Sequence, residues 1–189
     1  MSDRPLDGKL VVILVANGFD ETEFTEPQRR MIQAGATVKV ASRANGLVNG
    51  WYENSWGHFF PVDADLAETL AIDYDGLIVP GGSRGIEKLF EDAHARRIVA
   101  AFMRENMPVL LLSDATRMLL ATETAAGRMI TSSADVRADL EAAGSVWQEQ
   151  TAVLDNRLVT GSGGEHTVEA YDLFKDLVAQ FEREITEAA

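Results

Sequence analysis

Short apolar runs alternate along the chain with segments of helical periodicity. Unbroken runs that are rich in β-branched residues are typical of strands buried on both faces of a parallel sheet. The predicted strands are 10–16, 37–42, 75–79, 109–112, 128–133 and 157–160. The predicted helices are 27–33, 66–70, 86–90, 93–105, 117–120, 136–143 and 167–184. Because the two kinds of element alternate, we predict an α/β fold, a three-layer, flavodoxin-like sandwich with a doubly wound, mostly parallel sheet.

The first helix has two candidate starts. Asp20 is a good N-cap residue, and Glu21 and Glu23 after it suit the positive end of a helix. Pro27 is favoured at the first position of a helix, where its missing N–H costs nothing. We predict that the main helix begins at Pro27 and ends at Ala34-Gly35.

Two segments are predicted to form hairpins. Residues 43–57 carry turn signals at Asn45-Gly46 and Asn49-Gly50. Five aromatic residues in and beside this segment form a candidate oligomer interface. They are Trp51, Tyr52, Trp56, Phe59 and Phe60. Further on, Val146-Trp147 and residues 151–154 are expected to belong to a terminal hairpin that turns at Asp155-Asn156.

The segment 107–120 concentrates the candidate chemistry. The strand 109–112 ends in the small polar run 113–116 and passes at once into a helix from Arg117. A strand that turns directly into a helix has the geometry of a nucleophile elbow. Such an elbow lifts one side chain to the carboxyl edge of the sheet, at the positive end of a helix. Ser113 and Asp114 are therefore candidate site residues.

Composition narrows the classes of function. The length of 189 residues suits one domain, 1–189, and the net charge of −13 argues against nucleic acid or an anionic membrane as a partner. The chain has no cysteine, which excludes disulfides, thiolate metal sites and a cysteine nucleophile. Because it has no signal-peptide pattern and no apolar run long enough to span a bilayer, we expect a soluble, cytoplasmic protein.

The motifs, taken in order, resemble the ThiJ/PfpI family of the class I glutamine-amidotransferase-like superfamily. The matching segments are 17–27, 75–82, 108–112, 127–131, 136–144 and 157–160. The resemblance covers nearly the whole chain and implies at least a dimer. Family activities include peptidase-like, glyoxalase or deglycase and isocyanide hydratase chemistry, and roles in stress response and as chaperones are also proposed.

The resemblance also implies a set of site positions. The family combines an elbow cysteine, usually followed by His and Gly, with a usually protonated Glu from the first loop. Glu23 falls on that Glu, whereas Ser113, Asp114 and Ala115 stand where the cysteine, histidine and glycine are expected. Three consecutive positions of this chain thus depart from the family pattern.

Two further positions follow from the glycine-rich turn and the helix after it. The backbone amides of Gly81 and Gly82, together with that of Ala115, are expected to form an oxyanion-like nest. In many family members, a second Glu reaches the elbow His from a neighbouring subunit. Glu87 is the nearest match to that residue, offset by one position.

Ser113 has two interpretations. A serine hydroxyl is unreactive until a base removes its proton, and the usual base is a histidine oriented by a carboxylate. His94 is expected at the surface, whereas His58 or His166 can fold over the carboxyl edge of the sheet. In the other interpretation, which we favour, Ser113 only fills the space of the cysteine.

Asp114 has three interpretations. It can act as a carboxylate nucleophile or phosphoacceptor at the end of a strand. It can share a proton with Glu23, because two close carboxylates do not both ionise cheaply. It can also cap the elbow helix through its side chain, which is the interpretation we favour.

We therefore predict a divergent family member that is catalytically silent or altered and retains a small-molecule pocket. We expect self-association as a homodimer or higher oligomer, and neither a metal nor a cofactor. The alternative is a hydrolase with Ser113 as nucleophile, assisted by Glu23 and by Asp114 or a distant histidine.

Overall fold

The computed structural model describes residues 3–164 and 167–183. Its strands are β1 (Leu10–Leu14), β2 (Phe19–Asp20), β3 (Thr37–Ser42), β4 (Leu47–Tyr52), β5 (Ser55–Pro61), β6 (Ala64–Asp65), β7 (Gly76–Val79), β8 (Val109–Leu112), β9 (Met129–Ile130), β10 (Val146–Trp147), β11 (Ala152–Asp155) and β12 (Leu158–Gly161). Its α-helices are α1 (Glu21–Gln33), α2 (Ser83–Glu91), α3 (Ala93–Arg104), α4 (Arg117–Ala121), α5 (Arg137–Ala142) and α6 (Val168–Gln180). Short 3₁₀ turns occupy Leu66–Glu68, Ala71–Asp73, Ser113–Thr116 and Ala134–Val136.

Seven of these strands form the central sheet, in the order β11-β12-β8-β7-β1-β3-β6. Neighbouring strands are parallel except for the edge pair β11 and β12, which is antiparallel. The chain passes from β1 to β3 on one side of β1 and later returns to β7 on its other side. The strand order therefore reverses at β1. The carboxyl ends of β1 and β7 therefore flank a crevice, the usual ligand position in such folds. The predicted doubly wound, mostly parallel sheet is confirmed.

The core lies in two layers, one on each face of the sheet. Val12 and Leu14 of β1 pack in the layer that contains α2, α3, α4 and α5. Val11 and Ile13 of the same strand pack in the layer that contains α1 and α6. Because its side chains alternate between two covered faces, β1 has no polar position. The predicted three-layer sandwich is confirmed.

The predicted start of the main helix at Pro27 was wrong, whereas the candidate start at Asp20 is confirmed. Helix α1 begins at Glu21, and Pro27 lies inside it. The Asp20 Oδ1 atom accepts a hydrogen bond of 3.0 Å from the Glu23 N–H, which caps the helix as Asp20 was expected to. Pro27 removes one hydrogen bond within the helix. The cap at Asp20 holds the first turn, so the helix extends through the proline.

The first predicted hairpin is present, but its turn lies elsewhere. Strands β4 and β5 join at Glu53-Asn54, where both residues have positive φ angles of 48° and 65°. The expected turn signal Asn49-Gly50 lies inside β4, at a shift of the strand register. A Cβ atom on Gly50 would lie 3.2 Å from Glu21 Cβ, so this glycine permits a close approach to α1.

The second predicted hairpin is confirmed in part. Strands β11 and β12 are antiparallel and turn at Asp155-Asn156, where Asn156 has a φ of 58°. Strand β10 does not belong to that hairpin, because it pairs in parallel with β9 in a separate two-stranded sheet. In residues 3–164 and 167–183, no helix combines the length and the hydropathy that a membrane span requires.

Candidate functional site

The elbow at the end of β8 is formed as predicted. Ser113 follows Leu112 directly and has a φ of 48°, in the left-handed region that non-glycine residues rarely adopt. The 3₁₀ turn after it leads into α4, and Thr116 Oγ1 donates a hydrogen bond of 2.9 Å to the Ser113 carbonyl oxygen. Strained residues of this kind persist where the surrounding structure fixes them, and they cluster at functional sites.

The Ser113 hydroxyl lies between two carboxyl groups. Its Oγ atom donates to Glu23 Oε1 at 2.8 Å and lies 3.3 Å from Asp114 Oδ1. All three groups meet at Gly81. A Cβ atom there would overlap Ser113 Oγ and would lie 2.5 Å from Asp114 Oδ1 and 2.7 Å from Glu23 Oε1. Glycine is therefore required at position 81 for the cluster to close.

The backbone amides expected to form an oxyanion nest already have partners. Gly81 N–H donates to Glu23 Oε1, and Gly82 N–H donates to Asp114 Oδ1, each at 2.8 Å. The protein's own carboxyl groups thus occupy the two donors that a substrate oxyanion would need. Ala115, the third expected contributor, is fully buried in the core beside the elbow.

Glu23 is buried, with 6% of its surface exposed. Burial, together with the nearby Asp20 charge, raises the pKa of Glu23 from 4.5 to about 7, although hydrogen bonds from Ser113 and Gly81 oppose the rise. Because Oε1 accepts both of those hydrogen bonds, the proton of the neutral acid belongs on Oε2. A Cβ atom on Gly163 would lie 3.1 Å from Oε2, so the loop after β12 closes over this side of the carboxyl group.

The helix-capping interpretation of Asp114 was wrong. Neither the 3₁₀ turn of the elbow nor α4 has a side-chain cap, and Asp114 instead binds Gly82 at the start of α2. Burial raises the pKa of Asp114, and its hydrogen bond from Gly82 opposes that rise. Its partner lies 32 positions earlier in the chain, at the end of the adjacent parallel strand. No local pattern reveals such a pair. A proton shared between Asp114 and Glu23 remains a prediction.

Within the described ranges, no histidine contacts the elbow hydroxyl. His94 lies beside Arg97 at the surface, and His166 lies outside the described residues. His58 is exposed and directs its ring Nδ1 to the carboxylate of Glu21, which also accepts the His58 N–H at 3.2 Å. Glu21 thus turns toward the hairpin while Glu23, two residues on, turns toward the elbow.

Sequence reasoning missed Glu21 as a buried partner of the hairpin. The available signal was a pair of glycines, Gly50 and Gly57, within strand segments. A Cβ atom on Gly57 would overlap the Glu21 carboxylate, and Gly50 packs against the same side chain. Glycine inside a strand often marks such a close approach.

Glu87 is not brought to the elbow of its own chain. It lies exposed on α2, beside Arg84 and next to Trp56 of the hairpin. Its contribution to a neighbouring subunit therefore stays a prediction. Over the described part of the chain, no group of three His, Cys, Asp or Glu side chains is arranged to hold a metal ion.

The loop after β12 packs closely against the elbow. Ser113 is half-buried, and a Cβ atom on Gly163 would lie 2.9 Å from Ser113 Cβ. Two cavities lie elsewhere: one of about 730 Å³ at the carboxyl ends of β1 and β3, and one of about 680 Å³ beside Phe181.

Comparison with known proteins agrees with this architecture. The DJ-1/PfpI family model matches residues 9–179. An uncharacterized protein of Staphylococcus aureus is 32% identical over 155 residues, which cover 80% of this chain and 88% of that protein. A Staphylococcus saprophyticus protein, also uncharacterized, is 32% identical over 155 residues, covering 80% of this chain and 87% of its own length.

Solved structures show the same fold. A protein of Anabaena variabilis with DJ-1/ThiJ/PfpI-like and ferritin-like domains superposes with a TM-score of 0.82 at 22% identity, covering 95% of this chain. The match covers 52% of the Anabaena chain, so this protein spans about half of its length. Drosophila melanogaster DJ-1beta superposes with a TM-score of 0.80 at 22% identity over 91% of each chain. The chain therefore belongs to the DJ-1/PfpI family, as a divergent member without a cysteine at its elbow.

Proposed function

We propose that this protein is a catalytically silent member of its family, whose elbow binds a small molecule or a partner and does not transform it. The observation that carries the proposal is the closed network around Ser113. The hydroxyl donates to Glu23, and the amides of Gly81 and Gly82 donate to Glu23 and Asp114. Covalent catalysis needs an activated nucleophile and free oxyanion donors, and this network commits both to internal contacts.

The replacement of cysteine by serine supports the same proposal. A thiol ionises readily near a suitable partner, whereas a serine hydroxyl needs a base at the moment of reaction. The base usual for serine is an oriented histidine. His58 is held by Glu21 in the hairpin, and His94 lies beside Arg97. Neither supplies that base to Ser113 in this arrangement.

The test is turnover of methylglyoxal and of generic ester and peptide substrates by the wild type, Ser113→Ala and Ser113→Cys. We expect the wild type and Ser113→Ala to show the same background rate. A gain of activity in Ser113→Cys would support a retained small-molecule pocket, and a silent Ser113→Cys would count against that pocket. A wild-type rate that Ser113→Ala abolishes would overturn the proposal.

A second candidate function is favoured by one observation. Ser113 has the strained backbone of a nucleophile, and its Oγ atom lies 2.8 Å from Glu23, a carboxyl group with a pKa of about 7. A carboxylate with such a pKa suits a general base at neutral pH. This serine hydrolase would gain activity as the pH rises through about 7, and both Ser113→Ala and Glu23→Gln would abolish it. A flat pH profile would exclude Glu23 as the base.

We also propose that the protein associates with itself through its hairpin. Tyr52, Trp56 and Phe59 are between 45% and 64% exposed, an unusual density of aromatic surface. Arg84 stacks on Trp51 at 3.8 Å from the ring centroid, which adds a positive charge beside this face, close to the acidic Glu87. A face that carries both charges can complement a second copy of itself.

Sedimentation velocity over a range of concentrations tests this association. We expect the wild type to form a dimer or higher oligomer and a Trp56→Ser/Phe59→Ser double variant to be monomeric. Ile72→Ser is the matched control, because Ile72 is 73% exposed and lies outside the hairpin, in the turn before β7. A wild-type monomer, or dissociation by Ile72→Ser alone, would contradict the proposal.

A further inference from the structure

Three hydrogen bonds form a closed ring beside the elbow. Asp20 N–H donates to the Gly81 carbonyl oxygen at 2.7 Å, and Gly81 N–H donates to Glu23 Oε1 at 2.8 Å. Glu23 N–H donates back to Asp20 Oδ1 at 3.0 Å. The ring joins the start of α1 to the turn after β7. It also needs glycine at position 82, because a Cβ atom there would lie 2.5 Å from the Asp20 nitrogen.

This ring is a capping box with one residue, Gly81, inserted. In an ordinary capping box, the N-cap side chain accepts the N–H of the third helical residue, whose own Glu side chain accepts the N-cap N–H. Asp20 and Glu23 have this spacing, and Asp20 makes the first of the two bonds. The second bond is replaced by two, because the Gly81 carbonyl oxygen accepts from the Asp20 N–H and the Gly81 N–H donates to Glu23. The Glu23 carboxyl group is thereby moved from its own helix to the elbow.

The titratable groups that face Glu23 lie on three elements. Asp20 at the start of α1 and Asp114 at the elbow each disfavour its ionised form. Tyr171 on α6 also faces this region, since the charge of Glu23 acts on its phenol. The phenol of Tyr171 contacts Thr167 Oγ1 at 2.9 Å. Of the two acidic neighbours, Asp20 has the larger effect on Glu23.

We propose that Asp20 is the positioning residue of the elbow. Asp20 caps α1 without help from the Glu23 side chain and donates its own N–H to Gly81. The Glu23 carboxyl group is therefore free to bind Ser113. The negative charge of Asp20 favours the protonated form of that carboxyl group. The proposal deepens the function proposed above, because it concerns the same elbow. Its test does not depend on turnover and therefore stands apart from the success or failure of that function.

The experiment is a carbon-13 NMR titration of the glutamate side-chain carboxyl groups, with the Glu23 signal assigned by Glu23→Gln. Asp20→Asn keeps the cap, since asparagine caps helices as well as aspartate, but removes the charge. We expect the Glu23 midpoint of about 7 to fall by about one pH unit in Asp20→Asn. Asp92→Asn is the matched control, because Asp92 caps α3 in the same way and should leave the midpoint unchanged.

Asp20→Ala removes the cap together with the charge and tests the positioning. At about pH 5, where Glu23 is protonated in the wild type and in both variants, we expect the Ser113 backbone signals to move in Asp20→Ala and to remain at their wild-type positions in Asp20→Asn. If the titration midpoint of Glu23 is unchanged in Asp20→Asn, Asp20 acts only as a helix cap. The proposed effect of its charge on the protonation of Glu23 would then be overturned. Unmoved Ser113 signals in Asp20→Ala would overturn the positioning part.

Discussion

Replacement of Glu23 by glutamine should change how the stability of this protein depends on pH. The pKa of Glu23 is raised from 4.5 to about 7 in the folded state, mainly by burial. The folded chain therefore holds this proton more tightly than the unfolded chain does. The resulting contribution to the free energy of unfolding is complete below about pH 4.5 and is lost as the pH rises through about 7.

The size of the effect follows from the shift. One pH unit of difference in pKa corresponds to about 1.4 kcal/mol, so the whole contribution is about 3 kcal/mol. About 2 kcal/mol of it should disappear between about pH 5.5 and about pH 8.5, a range that avoids the isoelectric point near 4.6. Asp114, whose pKa is also raised, changes the stability with pH in the same direction. Glutamine resembles the protonated acid and carries no titrating group.

Urea unfolding, followed by tryptophan fluorescence at a series of pH values, measures this contribution. The free energy of unfolding of Glu23→Gln should fall less than that of the wild type by about 2 kcal/mol over this range. Glu105→Gln is the control, because Glu105 is exposed and precedes β8, at the opposite end of that strand from the elbow, and its curve should follow the wild type. If Glu23→Gln retains the full wild-type slope, Glu23 does not carry the proton and the reasoning fails.

Two further substitutions test contacts around the elbow and the sheet by the same unfolding assay. Gly81→Ala places a Cβ atom onto Ser113 Oγ and should lower the free energy of unfolding by about 3 kcal/mol. A Gly81→Ala/Ser113→Ala double variant should lower it by less than the sum of the two single substitutions. Thr160→Val removes the Oγ1 atom that accepts the buried Thr131 N–H at 2.9 Å and should cost about 1–3 kcal/mol, whereas Thr160→Ser should cost less because it keeps that acceptor.

The sheet could be predicted from the sequence because its signals are local. Residues 37–42 and 109–112 match β3 and β8 at both ends, and the second of these segments is an unbroken apolar run closed by the polar Ser113. The elbow could be predicted from the abrupt change from apolar to small polar residues at Ser113. The positive φ of Ser113 agrees with that prediction. Composition and periodicity thus indicate which residues form strands and where each strand ends. In a parallel sheet the carboxyl ends of the strands share one edge, and that edge is where a site is expected.

The partners within the site could not be predicted in the same way. Asp114 was expected to cap its own helix, but it binds Gly82 on the adjacent strand turn, and Glu21 was not expected to hold His58. Both pairs depend on which strands are neighbours and on the exact approach of backbone segments. The prediction that the main helix begins at Pro27 was wrong for a related reason. The cap at Asp20 outweighed the local preference of proline for the first helical position.

Labelling of the intact protein with a fluorophosphonate, located by mass spectrometry, tests most directly whether Ser113 is a nucleophile. Such reagents react with an activated serine hydroxyl and spare an unactivated one. Because Ser113 is bound to Glu23 and the amides of Gly81 and Gly82 are occupied, we expect no adduct at Ser113 at neutral pH. A stoichiometric adduct at Ser113 that disappears in Glu23→Gln would contradict this expectation.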